Sequence, residues 1–388
     1  MEISACVKYV GVNDHQVDLF EGQYKVPNGM SYNSYVILDD KIAIMDTVDG
    51  FFTEEWLNNV EQVLDGKMPD YLVIQHMEPD HSASIPAFLK KYPKVTVVST
   101  AKGFQFMEQF FPEFFAGQGL PAEQRIVAAN DGVLELGQHS LHFVYAPMVH
   151  WPEVMMTYEA TEKILFAADG FGKFGALDAE EEWADEARRY YIGIVGKYGP
   201  QVQAVLKKAA GLDIQTICSL HGPVLKENLG FYLEKYDKWS SYQPEESGVV
   251  IAYASVYGNT RNAAEYLADV LQEKGQKTVL YDLARCDKAK AVADAFRYDR
   301  LVLAGITYNG DLFPCMRSFI EGLTERNYQN RKVAIIENGT WAPMAGKLIL
   351  GMFEKSKNLT FTETTVSIKS AMNAQNKSEI GKLAEELC

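Results

Sequence analysis

The chain has 388 residues, enough for two or three domains of about 100–200 residues each, and its 47% hydrophobic and 23% charged residues exclude a largely disordered protein. No apolar run approaches the ~18–20 residues of a membrane-spanning helix, no signal peptide opens the chain, and the five cysteines never form C-x-x-C, so we expect a soluble, reduced, cytoplasmic protein. The net charge of −15 divides into −17 for residues 1–247 and +2 for residues 248–388, and the acidic first part excludes a nucleic-acid-binding face there.

The first part of the chain mixes short strands with helices. It opens with the strand-like runs ACVKYVGV, YNSYVILDD and KIAIMDTV. Amphipathic helical segments follow (FTEEWLNNVEQVL, ASIPAFLKKY, AKGFQFMEQFF), and then the strands LHFVYAPM, VMMTYEA and KILFAAD. The segment EEWADEARRYYIGIVGKYGPQVQAVLKKAA predicts one long helix. This pattern favours an α/β unit with mixed sheets.

A dense group of metal-binding residue types follows the apolar run YLVI, in the segment Q-H-M-E-P-D-H. It holds His76, Glu78, Asp80 and His81. Because Pro79 disfavours a helix, we expect an extended segment with a turn that brings His81 round. Imidazoles and carboxylates packed so closely are costly to place unless water or a metal satisfies them. The segment therefore favours a metal site over a polar loop facing water.

Three more donors stand where later strands end and turns begin: His150, Asp169 and His221. Any one of them alone is typical of an ordinary surface histidine or turn aspartate. Together with the first group they make four histidines and three carboxylates. That set suits two metals, each with two histidines and a terminal carboxylate, bridged by the remaining carboxylate. The other histidines are interpreted as ordinary turn or strand residues: His15, His139 and His142.

The order H-x-E-x-D-H, then distant His, Asp and His, resembles the metallo-β-lactamase fold family. The usual zinc pattern of that family is H-x-H-x-D-H, and the form with Glu78 resembles the flavodiiron proteins (A-type flavoproteins). A carboxylate in place of an imidazole favours redox-capable iron over zinc. The E-x-x-H pattern of helical di-iron bundles is rejected, because no second copy occurs and the surroundings are strands. The resemblance implies one iron on His76, Glu78 and His150, another on Asp80, His81 and His221, and Asp169 as the bridge.

The polar segment Ser240–Gly248 (SSYQPEESG) is the best linker candidate, and we expect a metal-binding domain over residues 1–247 and a second domain over residues 248–388. After the linker, five apolar strands alternate with amphipathic helices. The strands are VVIAYAS, KTVLYDL, RLVLAGITY, KVAIIENG and TTVSIK. Such β–α alternation predicts a doubly wound parallel sheet with helices on both faces.

Three loops at the ends of these strands carry a predicted cofactor site. The first loop, S-V-Y-G-N-T, precedes a helix and offers small and hydroxyl residues to a phosphate; neither G-x-G-x-x-G nor GK[ST] occurs, which disfavours a dinucleotide and a P-loop nucleotide. In open α/β sheets, ligands lie beyond the strand ends where such loops meet. The candidate residues are Ser255, Val256, Tyr257, Gly258, Asn259, Thr260, Thr307, Tyr308, Asn309, Gly310, Asn338, Gly339, Thr340 and Trp341.

This second part resembles flavodoxin, which implies FMN as the cofactor. The two resemblances together imply a metallo-β-lactamase-like αββα sandwich followed by a flavodoxin-like five-stranded sheet, in the domain order of flavodiiron proteins. They imply a di-iron enzyme that reduces O2 to water in an anaerobe, or alternatively NO to N2O. The implied partners are a separate electron donor, rubredoxin or for some members a deazaflavin, and a second subunit in a head-to-tail homodimer or dimer of dimers.

Two other classes of protein stay open at this point. One is a zinc hydrolase with an appended flavodoxin domain, and the other is an electron carrier with a vestigial metal site. Metal analysis separates them. The sequence decides neither between O2 and NO nor how residues such as Trp151 and Tyr308 tune the metal site.

Overall fold

A computed structural model describes residues 3–117 and 119–388, which form two compact units. The first unit comprises Met1–Tyr190 and Pro200–Tyr236, and the second comprises Tyr191–Gly199 and Asp237–Cys388. The change of unit at Asp237 lies just before the segment that the sequence marks as a linker. The domain boundary between residues 247 and 248 stays a prediction about where the chain can be divided.

Two β-sheets form the centre of the first unit. Its strands are β1 (Val7–Tyr9), β2 (Val12–Asp14), β3 (Leu19–Phe20), β4 (Tyr24–Lys25), β5 (Met30–Tyr32), β6 (Tyr35–Ile37), β7 (Ala43–Met45), β8 (Tyr71–Val73), β9 (Thr96–Ser99), β10 (Arg125–Val127), β11 (Val133–Glu135), β12 (Ser140–Tyr145), β13 (Met155–Glu159), β14 (Ile164–Phe166) and β15 (Thr216–Cys218). One sheet has the order β1-β6-β7-β8-β9-β10 and the other β11-β12-β13-β14-β15, while β2 pairs with β5 and β3 with β4.

The two sheets bury their apolar faces against each other. Tyr35 and Ile37 of the first sheet share one core with Phe143 and Phe166 of the second, and the rings of Tyr35 and Phe166 lie 5.4 Å apart. The short strands β6, β7 and β14 are fully buried, which suits β-branched and aromatic residues packed on both sides.

Helices accompany both sheets. They are α1 (Thr53–Leu64), α2 (Pro79–Ser82), α3 (Ile85–Lys91), α4 (Ala101–Phe110), α5 (Pro112–Ala116), α6 (Trp183–Tyr190), α7 (Gly199–Ala209) and α8 (Leu229–Ser240). Helix α1 buries Trp56, Val60 and Leu64, which recur every four residues on one face. Trp56 packs on Phe88 of α3 with ring centroids 5.5 Å apart. The predicted αββα sandwich is confirmed.

Two local predictions are wrong. The segment at Pro79 is not extended: Pro79–Ser82 forms one helical turn with the proline at its start, where a missing N–H costs nothing. The predicted long helix is interrupted after Tyr190 by a π-helical turn, Tyr191–Val195, and a 3-10 turn, Gly196–Tyr198. The glycines in this stretch weaken a continuous helix, and Pro200 is tolerated in the first turn of α7 but not in the interior of a longer helix.

The second unit confirms the five predicted β–α pairs. Its elements are β16 (Glu246–Tyr253), α9 (Asn259–Glu273), β17 (Thr278–Asp282), α10 (Lys288–Arg297), β18 (Tyr298–Tyr308), β19 (Asp311–Leu312), α11 (Pro314–Thr324), β20 (Arg331–Asn338), α12 (Ala345–Met352), β21 (Leu359–Ile368) and α13 (Ala374–Glu386). The parallel strands have the order β17-β16-β18-β20-β21, and β19 pairs antiparallel with β18. This is the flavodoxin-like order, whose strand order reverses beside β16.

Across residues 3–117 and 119–388, no helix is long and apolar enough to cross a lipid bilayer. The cysteines in these ranges are all free thiols.

Candidate metal centre and cofactor cavity

The seven candidate metal ligands come together at one end of the two sheets of the first unit. His76 follows β8, and His150 lies in the loop between β12 and β13. Asp169 and His221 follow β14 and β15, which are parallel neighbours and so end at the same edge. The topology therefore converts widely spaced strand-end residues into one cluster.

Helix α2 divides the first donor segment between two groups of ligands. Glu78 precedes the helix, and its carbonyl oxygen accepts a hydrogen bond from His81 N (2.9 Å). The carbonyl of His81 accepts from Thr47 Oγ1 (2.8 Å), which fixes the end of the turn. The helical turn separates Glu78, which faces one group, from Asp80 and His81, which face the other.

In the first group, two imidazoles face the same carboxylate oxygen. Glu78 Oε2 lies 3.2 Å from His76 Nε2 and 3.0 Å from His150 Nε2. In the second group, His81 Nε2 lies 3.0 Å from His221 Nε2, and each of these atoms lies 3.3 Å from Asp80 Oδ2.

Asp169 stands between the two groups and presents one oxygen to each. Its Oδ2 lies 3.1 Å from His150 Nε2, and its Oδ1 lies 3.3 Å from His81 Nε2. The side chain is buried. This is the arrangement that the sequence predicts for a bridging carboxylate.

The donor atoms fit metal ions better than they fit one another. Asp80 Oδ1 and Oδ2 and Asp169 Oδ1 are buried without hydrogen-bond partners, and the Nε2 atoms of His81 and His221 face each other at 3.0 Å. Metal–ligand bonds of about 2.1 Å place neighbouring ligand atoms about 3.0–3.4 Å apart in octahedral or tetrahedral sites, which matches the separations found here.

Charge balance within the cluster shifts its pKa values in opposite directions. Burial alone would lower the pKa of His150, but hydrogen bonds with Asp169 and Glu78 raise it to about 9. Burial would raise the pKa of Asp169, but His76, His150 and His81 hold it well below its ordinary value. The Asp169 carboxylate is thus ionised and places negative charge where cations would bind.

Two ligand histidines are held in place through Nδ1, which leaves Nε2 to face the cluster. His76 Nδ1 lies 2.8 Å from Glu153 Oε1, an atom that also accepts from Met77 N (3.0 Å). His221 Nδ1 lies 2.8 Å from the carbonyl oxygen of Ser31. Such partners fix the tautomer and the ring orientation of metal-binding histidines.

Sequence reasoning missed the residues that position these ligands. Glu153 stands three residues after His150, in H-W-P-E, and that spacing is a signal that could have drawn attention to it. Asp46 Oδ1 and Oδ2 accept from Gln75 N (2.7 Å) and Gln75 Nε2 (2.8 Å), which anchors the backbone directly before His76. Asp46 has φ 54°, a left-handed conformation of the kind concentrated at functional sites.

Aromatic rings surround the cluster. Trp151 meets His76 edge to face with ring centroids 5.3 Å apart, and Phe20 meets His221 in the same way at 5.4 Å. Tyr190 also packs on His221 at 5.4 Å. Trp151, whose position the sequence could not predict, thus lies directly beside a candidate ligand. The apolar rings offer no hydrogen-bond partners to the ligands, whose polar contacts therefore stay within the cluster.

In the second unit, the three predicted loops line one cavity of about 590 Å³ at the carboxyl ends of the strands. All the candidate cofactor residues line it except Gly258. The lining residues that the sequence did not predict are Ile306, Ala342, Met344 and Ser370.

One end of this cavity suits a phosphate. Helix α9 begins after Gly258, whose φ of 91° favours glycine, and no side chain caps the helix. By contrast, Asp287 caps α10 and Asn373 caps α13. The first N–H groups of α9 are therefore available to an anion beside Ser255 Oγ, which accepts from Gly258 N (3.1 Å).

The other lining residues suit a flat aromatic ring. Tyr257 is 93% exposed and Trp341 is 90% exposed, although both border the cavity. Aromatic side chains that border a cavity can stack on a planar ring bound there. The cavity thus fits a phosphate joined to a planar ring system, as in FMN.

The remaining histidines lie apart from both sites. His15 is exposed and pairs with Asp178 at 3.2 Å, and His142 lies on β12 beside Ser140 Oγ at 3.1 Å. His139 is 4% exposed and hydrogen-bonded to Asp39, so it is more firmly held than a simple turn residue.

The chain matches models of known protein families in both units. Residues 30–222 match the ODP family beta lactamase model, and residues 250–358 match a flavodoxin domain model. An anaerobic nitric oxide reductase flavorubredoxin from Vibrio vulnificus is 27% identical over 96% of this chain and 75% of its own length.

Solved structures give the same picture. Rubredoxin oxygen:oxidoreductase from Desulfovibrio gigas superposes with a TM-score of 0.91 at 24% identity, over 100% of this chain and 97% of that one. The flavodiiron protein from Giardia intestinalis superposes with a TM-score of 0.86 at 25% identity, over 100% and 96% of the two chains.

Proposed function

The chain belongs to the flavodiiron protein family, whose members are oxidoreductases, and from that premise we propose that it reduces O2 to water at a di-iron centre with electrons delivered through FMN. The observation that carries this proposal is the position of Asp169. Its two carboxylate oxygens face two separate groups of ligands, so one side chain links two metal positions. Two-metal hydrolases also need two linked positions, so the choice of iron over zinc rests on Glu78, whose carboxylate replaces the imidazole of the zinc pattern.

The donor set supports iron in both positions. We assign His76, Glu78 and His150 to one iron and Asp80, His81 and His221 to the other, with Asp169 as the bridge. Two irons held by these residues would supply a redox-active binding site for a diatomic molecule, and FMN would supply the electrons. The chain's own residues orient the ligands, through Glu153 and the Ser31 carbonyl, and exclude bulk water with the surrounding aromatic rings.

We assign FMN to the cavity of the second unit. The uncapped start of α9 and Ser255 would hold the phosphate, and the loops that follow β18 and β20 would hold the ring system. Tyr257 and Trp341 would stack on the ring or cover its edge. The absence of lysine and arginine from the S-V-Y-G-N-T loop fits a monophosphate held by neutral donors.

Nitric oxide reduction is the second candidate activity. It is favoured by the flavorubredoxin of V. vulnificus, a relative named as a nitric oxide reductase that aligns with 96% of this chain. Steady-state rates of the reduced protein with O2 and with NO decide between the two substrates. A rate with NO that exceeds the rate with O2 would overturn the assignment of O2.

Metal and cofactor analysis tests the proposal as a whole. We expect two irons and one FMN per chain in protein purified without added metal. Zinc in both positions with no O2 consumption would indicate a hydrolase, and FMN without bound metal would indicate an electron carrier; either result would overturn the proposal.

We further propose rubredoxin as the electron donor and the cytoplasm as the site of action. The D. gigas protein of the same fold is named for both rubredoxin and oxygen, and the free thiols of the described residues fit a reducing compartment. Stopped-flow reduction of the flavin by purified rubredoxin tests the donor. A rate no faster than that with an unrelated one-electron carrier would contradict it.

Head-to-tail dimerisation, which the family resemblance implies, is open to a direct test by mixing two inactive variants. Asp169→Asn removes the bridging carboxylate, and Ser255→Asp places a negative charge where the phosphate would bind. If electrons cross between subunits, mixed dimers restore about a quarter of the wild-type activity, because half the dimers are mixed and each holds one intact route. No restoration would indicate transfer within one chain.

A further inference from the structure

A second cluster of metal-binding residue types lies at the opposite end of the two sheets. Strand β14 runs between the two ends, with Glu162 before its first residue and Asp169 beyond its last. Four segments of the first unit meet there: the residues before β1, and the turns β6–β7, β11–β12 and β13–β14. None of them takes part in the candidate di-iron centre.

Three of these segments each contribute one donor. A ligand atom from each of Cys6, His139 and Glu162 lies within 4.8 Å of the other two. His139 Nε2 and Glu162 Oε1 are 3.8 Å apart. The set therefore offers one sulfur, one imidazole nitrogen and one carboxylate oxygen around a common centre.

The fourth segment orients the histidine. Asp39 Oδ2 accepts hydrogen bonds from both His139 N (2.7 Å) and His139 Nδ1 (2.8 Å). Burial alone would raise the pKa of Asp39, but these hydrogen bonds lower it, so the carboxylate is ionised. Because Nδ1 donates to Asp39, Nε2 keeps its lone pair and is the ring atom left for a metal, 3.8 Å from Glu162 Oε1. A carboxylate behind the imidazole is the usual companion of a metal-binding histidine.

Two side-chain atoms of the cluster lack a hydrogen-bond partner. His139 is 4% exposed, and within the described residues its Nε2 makes no hydrogen bond. Glu162 Oε2 is buried without a partner. Buried polar atoms left in this way call for an ion or another partner.

The backbone of the cluster is fixed from several sides. Cys6 N donates to Ser4 Oγ (3.2 Å), and the Cys6 carbonyl accepts from Leu38 N (2.9 Å). In the β11–β12 turn, Gly137 has φ 135°, and a Cβ there would lie 2.8 Å from Asp40 Oδ2. Glycine at this position lets the turn approach the β6–β7 turn and brings Asp39 to His139.

We propose that Cys6, His139 and Glu162 bind a zinc ion, with Asp39 as the residue that positions His139. Hard cations such as Mg²⁺ and Ca²⁺ avoid thiolate, whereas zinc takes sulfur, nitrogen and oxygen ligands together. Zinc bonds of about 2.0–2.3 Å place tetrahedral ligand atoms about 3.3–3.6 Å apart, close to the separation of His139 and Glu162. On binding, the Cys6 thiol loses its proton to solvent as the zinc–sulfur bond forms, and no electron is transferred.

The electrostatics of the cluster favour a cation. Burial, Glu162 and Asp39 all raise the pKa of the Cys6 thiol. The negative charges that disfavour a bare thiolate stabilise a dication in the same place. Bound zinc would join three of the four segments directly and the fourth through Asp39, so it would act as a structural tie at the end of the sandwich.

Cobalt provides a probe that separates this site from the di-iron centre. The candidate di-iron ligands include no sulfur, so a thiolate-to-cobalt charge-transfer band reports only on a cysteine site. We expect the purified holoprotein to show that band at one equivalent of Co²⁺ and to lose it when Zn²⁺ is added. The Cys6→Ser variant should lack the band, and Cys286→Ser, which changes a thiol of the second unit, should retain it.

Variants that keep Cys6 test the geometry. We expect Asp39→Asn to weaken Co²⁺ binding about 10–100-fold, the usual effect of losing a carboxylate that orients a ligand, and His139→Gln to abolish the band. Asp40→Asn, beside Asp39 but exposed, and His142→Gln, on the same strand as His139, are the matched controls and should leave it unchanged. The proposal fails if wild-type protein shows no band, if the band survives Cys6→Ser, or if Asp40→Asn weakens binding as much as Asp39→Asn.

Discussion

The candidate metal centre of the first unit and the cofactor cavity of the second are built by different means. The metal centre consists of histidine and carboxylate side chains, all but one of them buried, and their ligand atoms have neighbours about 3 Å away. The cavity consists of loop segments after parallel strands, with backbone groups, small polar residues and two exposed aromatic rings. Binding at the first site therefore depends on single side chains, whereas binding at the second depends on the conformation of its loops.

The sharpest test of this contrast is Asp169→Asn. An amide offers one coordinating oxygen where a bridge needs two, so we expect iron occupancy to fall and O2 reduction to drop by more than about 100-fold, since even residues that only orient ligands are worth about 10–100-fold. FMN content should stay at the wild-type level. Iron analysis, flavin absorbance and oxygen-electrode rates measure the three quantities.

A matched control for that variant is Asp178→Asn, which neutralises an exposed aspartate that pairs with His15. It should change none of the three quantities. Loss of FMN with retained iron in Asp169→Asn would contradict the assignment of the two sites to separate units.

The next effect in size is expected from Glu153→Ala. This change removes the acceptor at His76 Nδ1 and leaves Met77 N without its partner. We expect iron affinity to fall about 10–100-fold, and Glu153→Gln, which keeps an acceptor oxygen, to lose less. Competition with a chelator measures the affinities. Equal affinities for wild type and Glu153→Ala would mean that the other ligands alone orient His76.

The contrast also explains what the sequence could predict. Donor residues that follow a strand can be identified from the local sequence. For this reason all seven candidate ligands and nearly all candidate cavity residues that the sequence predicts do lie together in the structure. The positioning residues are not visible, because their contacts span long separations: His76 and Glu153 are 77 residues apart. Periodicity reports local conformation and carries no information about which turns meet.

The wrong prediction at Pro79 and the second cluster that sequence reasoning overlooked have the same origin. In the sequence, Pro79 indicates a break in a helix, but a proline is tolerated at the first position of a helix. Tertiary contacts, such as that of Thr47 with the His81 carbonyl, decide whether the segment is extended or helical. His139 and Cys6 read as ordinary residues because the turns that unite them with Glu162 lie far apart in the chain.

Expressing fragments of the second unit alone tests whether its loops form the FMN site without the first unit. We expect residues 248–388 to fold and bind FMN without iron, because the five β–α pairs form a complete sheet with its own core. Residues 237–388 should be more stable by about 1–3 kcal/mol, since buried Arg331 Nη1 donates to the Tyr242 carbonyl (2.7 Å), which only this fragment retains.

Urea denaturation of the two fragments measures the difference, and the yellow colour of bound flavin reports the site. A colourless shorter fragment would mean that the boundary or the cofactor assignment is wrong. Equal stabilities would mean that Arg331 finds other acceptors.

A smaller effect is expected from Trp341→Ala at the edge of the cavity. Stacking of an aromatic side chain on a planar ring contributes about 1 kcal/mol beyond the area it covers, so FMN affinity should fall roughly tenfold. The matched control is Phe51→Ala, which removes a ring that is 97% exposed in the first unit. Fluorescence titration of the FMN-free protein measures both. An unchanged affinity in Trp341→Ala would show that its ring does not contact the flavin.

The smallest effects concern the docking of the proposed donor, rubredoxin, which the family resemblance implies to be an acidic protein. Residues 248–388 carry +2 and residues 1–247 carry −17, so a negatively charged donor is repelled by the first part and steered to the second. Salt screens such steering beyond about 8 Å, so local charges at the cavity matter more than the net charge of the whole second part.

Arg261 pairs with Glu265 at 3.3 Å, whereas Lys347 is exposed and forms no ion pair with the described residues. We therefore expect Lys347→Glu to slow flavin reduction by rubredoxin about two- to threefold at low salt, and Arg261→Glu to slow it less. Reduction by a small neutral reductant should be unchanged in both, and if neither variant alters the rubredoxin rate or its salt dependence, the donor docks elsewhere.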